Sequence, residues 1–255
     1  NPNFQYRENP GANRWEYFGS TDWVKEGMDK VNDMQNYSLS VSGGDEKLNY
    51  LISGGYYQRD GVLRYGPDDN SRTNFKVNVN AELNKYLSLN VVGGYVGSFI
   101  NENANGTDNI IANLYRSRNR QVIHTPVEDI TGQPYNGDLQ VNAIDIQKNG
   151  GLETRNYETF QGKLNLTVKN LVKGLTADFT AWRNQDMYNM EANRRTLIWY
   201  GRTTALERFS IHKPNEMAMT KNKGYHNNLQ GVLNYNLDIK KHNFKLLAGS
   251  SFEEY

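Results

Sequence analysis

Between Met34 and Asn84 the chain alternates apolar and polar residues too regularly for a helix. Tyr37, Leu39 and Val41 oppose Ser38, Ser40 and Ser42. After Gly43-Gly44-Asp45-Glu46-Lys47 the alternation resumes from Leu48 to Gln58. A third run sets Phe75, Val77, Val79, Ala81 and Leu83 against Asn74, Lys76, Asn78, Asn80 and Glu82. A period of two means one face apolar and one polar, and runs of about ten residues are long for globular strands. Any fold for this chain must accommodate long antiparallel hairpins.

The pattern predicts eight strands, at 34–43, 48–58, 71–84, 87–99, 155–169, 174–187, 223–238 and 243–255. The links alternate without exception. Asp45–Lys47, Lys85–Tyr86, Asn170–Lys173 and Ile239–His242 are tight turns, whereas 59–70, 100–154 and 188–222 are long. Two of the long links far exceed the roughly 12–15 residues usual inside compact domains. All tight turns therefore fall at one end of the sheet and all long loops at the other. Membrane barrels sort their loops this way, with short periplasmic turns and long extracellular loops.

Composition fits that reading. There are 29 Lys and Arg against 28 Asp and Glu, which argues no attraction to nucleic acid. Cysteine is absent, removing disulfide frameworks, thiolate metal sites and cysteine nucleophiles. No run reaches the 18 or more apolar residues of a membrane helix, but a barrel strand needs only about 9–11 residues with one apolar face. Hydrophobic content of 37% then makes sense, because half of each strand would face water. The first residue is Asn and the last residues are still in a strand pattern, so the chain reads as an internal piece of a longer polypeptide.

The aromatics Tyr37, Tyr56, Phe75, Tyr95, Phe99, Phe160, Tyr225 and Phe252 lie toward the long-loop ends, mostly on the apolar face. An outer aromatic girdle would sit there; aromatic pairing across a soluble sheet is the competing reading. Residues 1–33 read as a loop segment packed down by Trp15, Tyr17, Phe18 and Trp23. Asn9-Pro10-Gly11 is turn chemistry, and Asp22 is placed to cap a short helix carrying Val24, Met28 and Val31.

At Met34–Leu63 the run MQNYSLSVSGGDEKLNYLISGGYYQRDGVL resembles the SusC/RagA-type TonB-dependent transporters of Gram-negative outer membranes, and SRTNFKVNVNAELNKYLSLNVVGGY at Ser71–Tyr95 continues the likeness. Upstream, Thr21-Asp22-Trp23 is similar to the family's segment before the same strand. The resemblance is strong over about residues 20–97 and rests on barrel-like patterning beyond. It implies an all-β fold, part of a large transmembrane antiparallel barrel of about 22 strands with a plugged lumen. Residues 1–33 would then be extracellular and 34–255 barrel, with the plug and remaining strands outside this chain. It further implies import of a glycan or peptide driven by a TonB complex through the plug, a SusD-like surface lipoprotein as lid, and outer-membrane lipid around the barrel.

Site chemistry is sparse. His124, His212, His226 and His242 lack paired-ligand spacing, so no metal is expected. Asn101 to Gly106 imitates the start of a calcium loop, but its twelfth position is Ala112. Adjacent strand carboxylates such as Glu253-Glu254 point to opposite faces, and no Gly-x-Ser-x-Gly elbow or phosphate-cradling loop occurs. Neither a catalytic residue nor a cofactor is expected, and the chain is not read as an enzyme. Residues 107–118 suit a short helix capped by Asp108, with Ile110, Ile111, Leu114 and Tyr115 on one side and Arg116, Arg118 and Arg120 following. The candidate substrate contacts are Arg116, Arg118, Trp182, Arg194, Arg195, Trp199 and Tyr200, with plain loop packing as the alternative. A passive porin-like channel and a surface all-β glycan-binding or adhesion module are the rival functions.

Overall fold

A computed structural model describes residues 4–9, 14–120, 123, 142–200 and 207–255. Two antiparallel hairpin strands, β1 (Phe4–Asn9) and β2 (Arg14–Gly19), precede helix α1 (Trp23–Gly27). The long strands β3 (Met34–Gly44), β4 (Leu48–Asp60), β5 (Asp68–Asn84) and β6 (Leu87–Asn103) follow. Helices α2 (Thr107–Arg116) and α3 (Ala143–Asn149) come next, then strands β7 (Gly151–Lys169) and β8 (Leu175–Arg194). A small hairpin, β9 (Leu197–Tyr200) and β10 (Glu207–Ile211), leads to β11 (Glu216–Ile239) and β12 (His242–Glu254).

The eight long strands make one sheet in the order β12-β11-β8-β7-β6-β5-β4-β3. Each pairs antiparallel with its neighbour along the chain, apart from the β9–β10 insertion. Register is continuous. One row runs Val41, Ile52, Val77, Gly93, Gly162, Arg183, Asn227 and Glu254; the next runs Gly43, Tyr50, Val79, Val91, Leu164, Ala181, Leu229 and Phe252. Apart from a shift between Glu82 and Asn84 beside the β5–β6 turn, parity is kept across the pairs, so the apolar sides of all eight strands form one continuous face. Leu39 is 74% exposed, Phe179 52%, Leu229 56% and Leu246 65%, so none of the described residues covers that face. Water alone would leave it at a cost of about 25 cal/mol per Å².

The eight predicted strands are present, but most run further toward the long-loop end. β11 is 24 residues and begins at Glu216 rather than 223, and β8 reaches Arg194 rather than 187. Crossing a bilayer takes only about 9–11 tilted residues. In the excess of β8 the apolar residues change face: Tyr188, Met190 and Ala192 share the side of Trp182, opposite Asn189, Glu191 and Asn193, so the pattern of Phe179 and Ala181 is not continued.

The buried core lies elsewhere, in a cap at the long-loop end. Trp23, Leu63, Ile110, Leu114, Ala143, Ile144, Ile146, Leu197 and Trp199 pack together there. Asp22 accepts from Lys25 N at the start of α1, as expected. That helix stops at Gly27, however; Met28 instead bridges Leu63 and Val31 is 82% exposed, so they do not share a helical face. Gly27 is required by contact, since a Cβ there would lie 2.5 Å from Leu114 Cδ2. Helix α2 is present but is not capped by Asp108, which sits inside the first turn after Gly106. Ile110 and Leu114 are buried, whereas Tyr115 is 67% exposed and leaves the expected apolar side. Helix α3, which the sequence did not suggest, is capped by Asn142, whose Oδ1 accepts from Ile144 N and Asp145 N.

Buried amides tie the helices to the sheet. Asn103 Nδ2 donates to Ile146 O at 2.7 Å, and Gln147 Oε1 accepts from Tyr65 N at 3.2 Å. Asn103 is the third position of the supposed calcium loop; it is still in β6 and its amide serves packing. The N-terminal segment is held by Trp23 Nε1, which donates to Arg118 O at 3.0 Å. It contains a hairpin and a helix rather than plain loop; Pro10 and Gly11 of its expected turn, and the side chains of Trp15 and Tyr17, lie outside the described residues.

Candidate functional site on the polar face

On the polar face, register builds a strip of side chains down β7, β8 and β11. Tyr157 pairs directly with Tyr188, and their rings lie 4.7 Å apart. One step toward the short turns, Thr159 Oγ1 donates to Asp186 Oδ1 at 2.7 Å and Asn184 Nδ2 donates to Asp186 Oδ2 at 2.7 Å. Next comes an aromatic cluster. Trp182 meets His226 edge-on at 4.8 Å, and His226 stacks on Tyr255 at 4.2 Å. Glu253 fixes that end: its Oε1 accepts from Asn228 Nδ2 at 2.9 Å and its Oε2 from Tyr255 Oη at 3.1 Å. His226 Nε2 is 3.8 Å from the same carboxylate and has no hydrogen-bond partner although the atom is buried.

Further toward the short turns the wall becomes a belt of amides and hydroxyls. Asn80 donates to Asn49, Asn90 to Asn78 and Asn80, Asn165 to Thr180, and Thr167 to Asp178. Amide side chains have donor and acceptor capacity to spare, so such a wall meets hydroxyls, peptide groups or water equally well. Flat rings above it offer stacking faces. A strip of this kind can hold a ligand by contact without any reactive group.

The sequence candidates separate on this map. Trp182 is in the strip. Trp199 is not offered to a ligand: it is 9% exposed, in the cap core, and stacks on Phe209 at 5.7 Å. The side chain of Tyr200 lies outside the described residues. Arg194 is a tie between cap and sheet, with Nε donating to Ala104 O at 3.3 Å and a terminal nitrogen 3.8 Å from Glu153. Nearby, Arg155 bridges Glu102 and Glu153, each at 2.5 Å. Arg116, Arg118 and Arg195 are on the cap surface. Of the histidines, His212 spans Asn105 and Glu216 at 3.1 Å each, His242 neighbours Phe244, and His124 is outside the described residues. The girdle candidates all share the apolar face, with Phe75, Tyr95 and Phe160 in one row.

Sequence reading missed Tyr157, Tyr188, His226 and Tyr255. Their parity places them with the polar side chains, and counting from Phe160 or Leu229 would have shown it. Their pairing depends on cross-strand register, which single strands do not carry.

No family model matches the chain. A TonB-dependent receptor P3 of Formosa agariphila is 23% identical over 263 residues, covering 98% of this chain and 24% of that protein. The solved RagAB peptide importer in its closed-closed state superposes with a TM-score of 0.61 at 15% identity, over 92% of this chain and 25% of that one. A second RagAB peptide transporter structure gives 0.60 at 14% identity. The chain thus spans about a quarter of the length of these relatives. The class that the fold defines is an all-β antiparallel sheet similar to part of the RagAB transporter. Within that class, sequence and fold together support a SusC/RagA-like fragment.

Proposed function

We propose that this chain is barrel wall and extracellular cap of a TonB-dependent importer of the outer membrane. The observation that carries the reading is the apolar face, eight strands wide and uncovered, backed by a polar face lined with amides, carboxylates and rings. Lipid covers the first and a wet lumen the second. Residues 34–255 are assigned to the barrel and 1–33 to its extracellular side, with the plug and remaining strands supplied by the rest of a longer protein.

Import works by differential binding between two conformations, without covalent change to the cargo. Cargo is caught between the cap and a SusD-like lipoprotein lid, then descends the polar wall when TonB pulls the plug aside. Exposed Arg116, Arg118 and Arg195 face the lid, the cargo or lipid phosphates. Trp182, with His226 and Tyr255, stacks on cargo in transit. A glycan or a peptide satisfies this wall, and the RagAB neighbours are themselves peptide transporters by name.

Uptake of labelled oligosaccharides and peptides by cells carrying the whole protein tests this. Uptake of one class should vanish without TonB and fall about tenfold in Trp182→Ala, from a lost stacking contact of roughly 1–1.5 kcal/mol. Uptake that persists without TonB would establish a passive channel instead. A whole protein that stays soluble without detergent would favour an adhesion module.

A further inference from the structure

On the apolar face, Gly93 and Gly162 pair directly and leave a gap in the side-chain surface. A Cβ built on Gly162 meets nothing within 4 Å. The resulting groove, about 650 Å³, is bordered by Val91, Leu164 and Leu229, with Arg183 in the same row as the glycines. Arg183 is a full charge beside the apolar stretch formed by Val91, Leu164, Ala181 and Leu229. Its guanidinium lies 5.5 Å from the centre of the Tyr225 ring, reaching toward the long-loop end. Beyond Tyr225 on the same face of β11 stand Lys223 and Lys221, at steps of about 6.6 Å along a strand. Among the described residues none of these three cations is in an ion pair.

Glu254 lines the same groove and, with Glu158 and Glu191, is among the acids on this side. Glu158 accepts from Tyr95 Oη at 2.9 Å, Glu254 accepts from Asn227 Nδ2 at 2.9 Å, and Glu191 stands further out on β8. None neutralises Arg183. An unpaired arginine facing lipid costs about 2–4 kcal/mol at mid-depth and little near the interface, whereas a bidentate phosphate turns that cost into an attraction.

We propose that this groove holds one phosphorylated acyl lipid of the leaflet on the long-loop side. An acyl chain fills the Gly93–Gly162 gap and the phosphate sits on Arg183 and Lys223. Gly54 and Gly231 also interrupt this face, but at the Gly93–Gly162 pair a gap and a cation ladder coincide. The inference rests on the membrane reading of the apolar face.

The test uses the whole barrel protein, delipidated in mild detergent and followed by native mass spectrometry with lipid A, dephosphorylated lipid A and inorganic phosphate as probes. One lipid A per barrel should be retained, at least fivefold more tightly than the dephosphorylated form. Arg183→Ala should remove that preference. Gly162→Leu, whose Cβ would meet nothing within 4 Å, should weaken both lipids. Equal retention by wild type and Arg183→Ala, or displacement of the lipid by inorganic phosphate at matched concentration, would overturn the proposal. A barrel that binds both lipids alike leaves the membrane reading standing and removes this one; a protein soluble without detergent that binds neither removes both.

Discussion

Cap and sheet reverse the usual division between loops and regular structure. In the cap, connecting segments bury nine hydrophobic residues in one cluster, Ile110 and Ala143 among them at 0% exposure. In the sheet, strands of up to 24 residues leave leucines and phenylalanines half to three-quarters exposed. A soluble domain would bury the sheet and solvate the loops. On the proposed reading, the cap is an ordinary water-facing structure with its own core, and lipid is the solvent of the sheet. The two regions should therefore fail in different ways.

The largest effect is expected in the cap. Leu114→Ala removes a side chain that is 1% exposed and should cost about 2–5 kcal/mol. Protease should then cut the 100–154 and 195–215 segments while the barrel stays folded in lipid. Loss of the barrel as well would show that cap and sheet fold as one unit.

Next comes the sheet. Leu164→Arg, on the apolar face, should destabilise lipid-embedded barrel by about 2–4 kcal/mol, and Gln161→Arg, on the polar face of the same strand, by roughly nothing. Urea titration in lipid vesicles reads both. Similar costs for the two would erase the distinction between the faces.

A smaller effect falls on glycine packing. Gly27→Ala should push Leu114 and loosen the cap by about 1–3 kcal/mol, because overpacking cannot be relieved at a contact of 2.5 Å. Unchanged protease resistance would mean that the cap core yields more easily than its contacts indicate.

The smallest is at the far end, in the turn between β3 and β4. Asp45 accepts from Lys47 N at 2.8 Å and Leu48 N at 2.9 Å, and these bonds hold its carboxyl below the ordinary value. A depressed pKa means the turn's stabilisation is complete above the ordinary aspartate range and is lost as pH falls through the folded value. Protection of Lys47 and Leu48 amides, relative to their unstructured exchange rates, should thus be flat near neutrality and fall only in acid. Asp45→Asn should abolish that acid dependence, and an unaltered profile would remove the carboxylate from the turn.

The sheet was legible because its signals are local. Alternation at Phe75–Leu83 marks a strand by itself, and the alternation of tight and long links orders the ends. The cap was not, since its core draws Trp23, Leu63, Leu114, Ile144 and Trp199 from five segments with no shared period. Trp199 looked like an exposed contact for the same reason: nothing near it in sequence reveals what buries it. Strand ends were underestimated where, as at Tyr188–Arg194, the apolar residues move to the other face and no longer continue the pattern of Phe179 and Ala181. The aromatic strip on the polar face needed register, because Trp182 and His226 meet only through the pairing of β8 with β11.

The central claim is that one face of the sheet meets lipid and the other water. Residues 1–255 contain no cysteine, so single cysteines at 160 through 166 of β7 can carry a fluorophore in the whole protein in vesicles. Quenching by a lipid-soluble nitroxide should be strong at 160, 164 and 166 and weak at 161, 163 and 165, with aqueous iodide giving the reverse. Equal protection of both sets from both quenchers would mean a second protein layer covers the apolar face, and would contradict a membrane barrel.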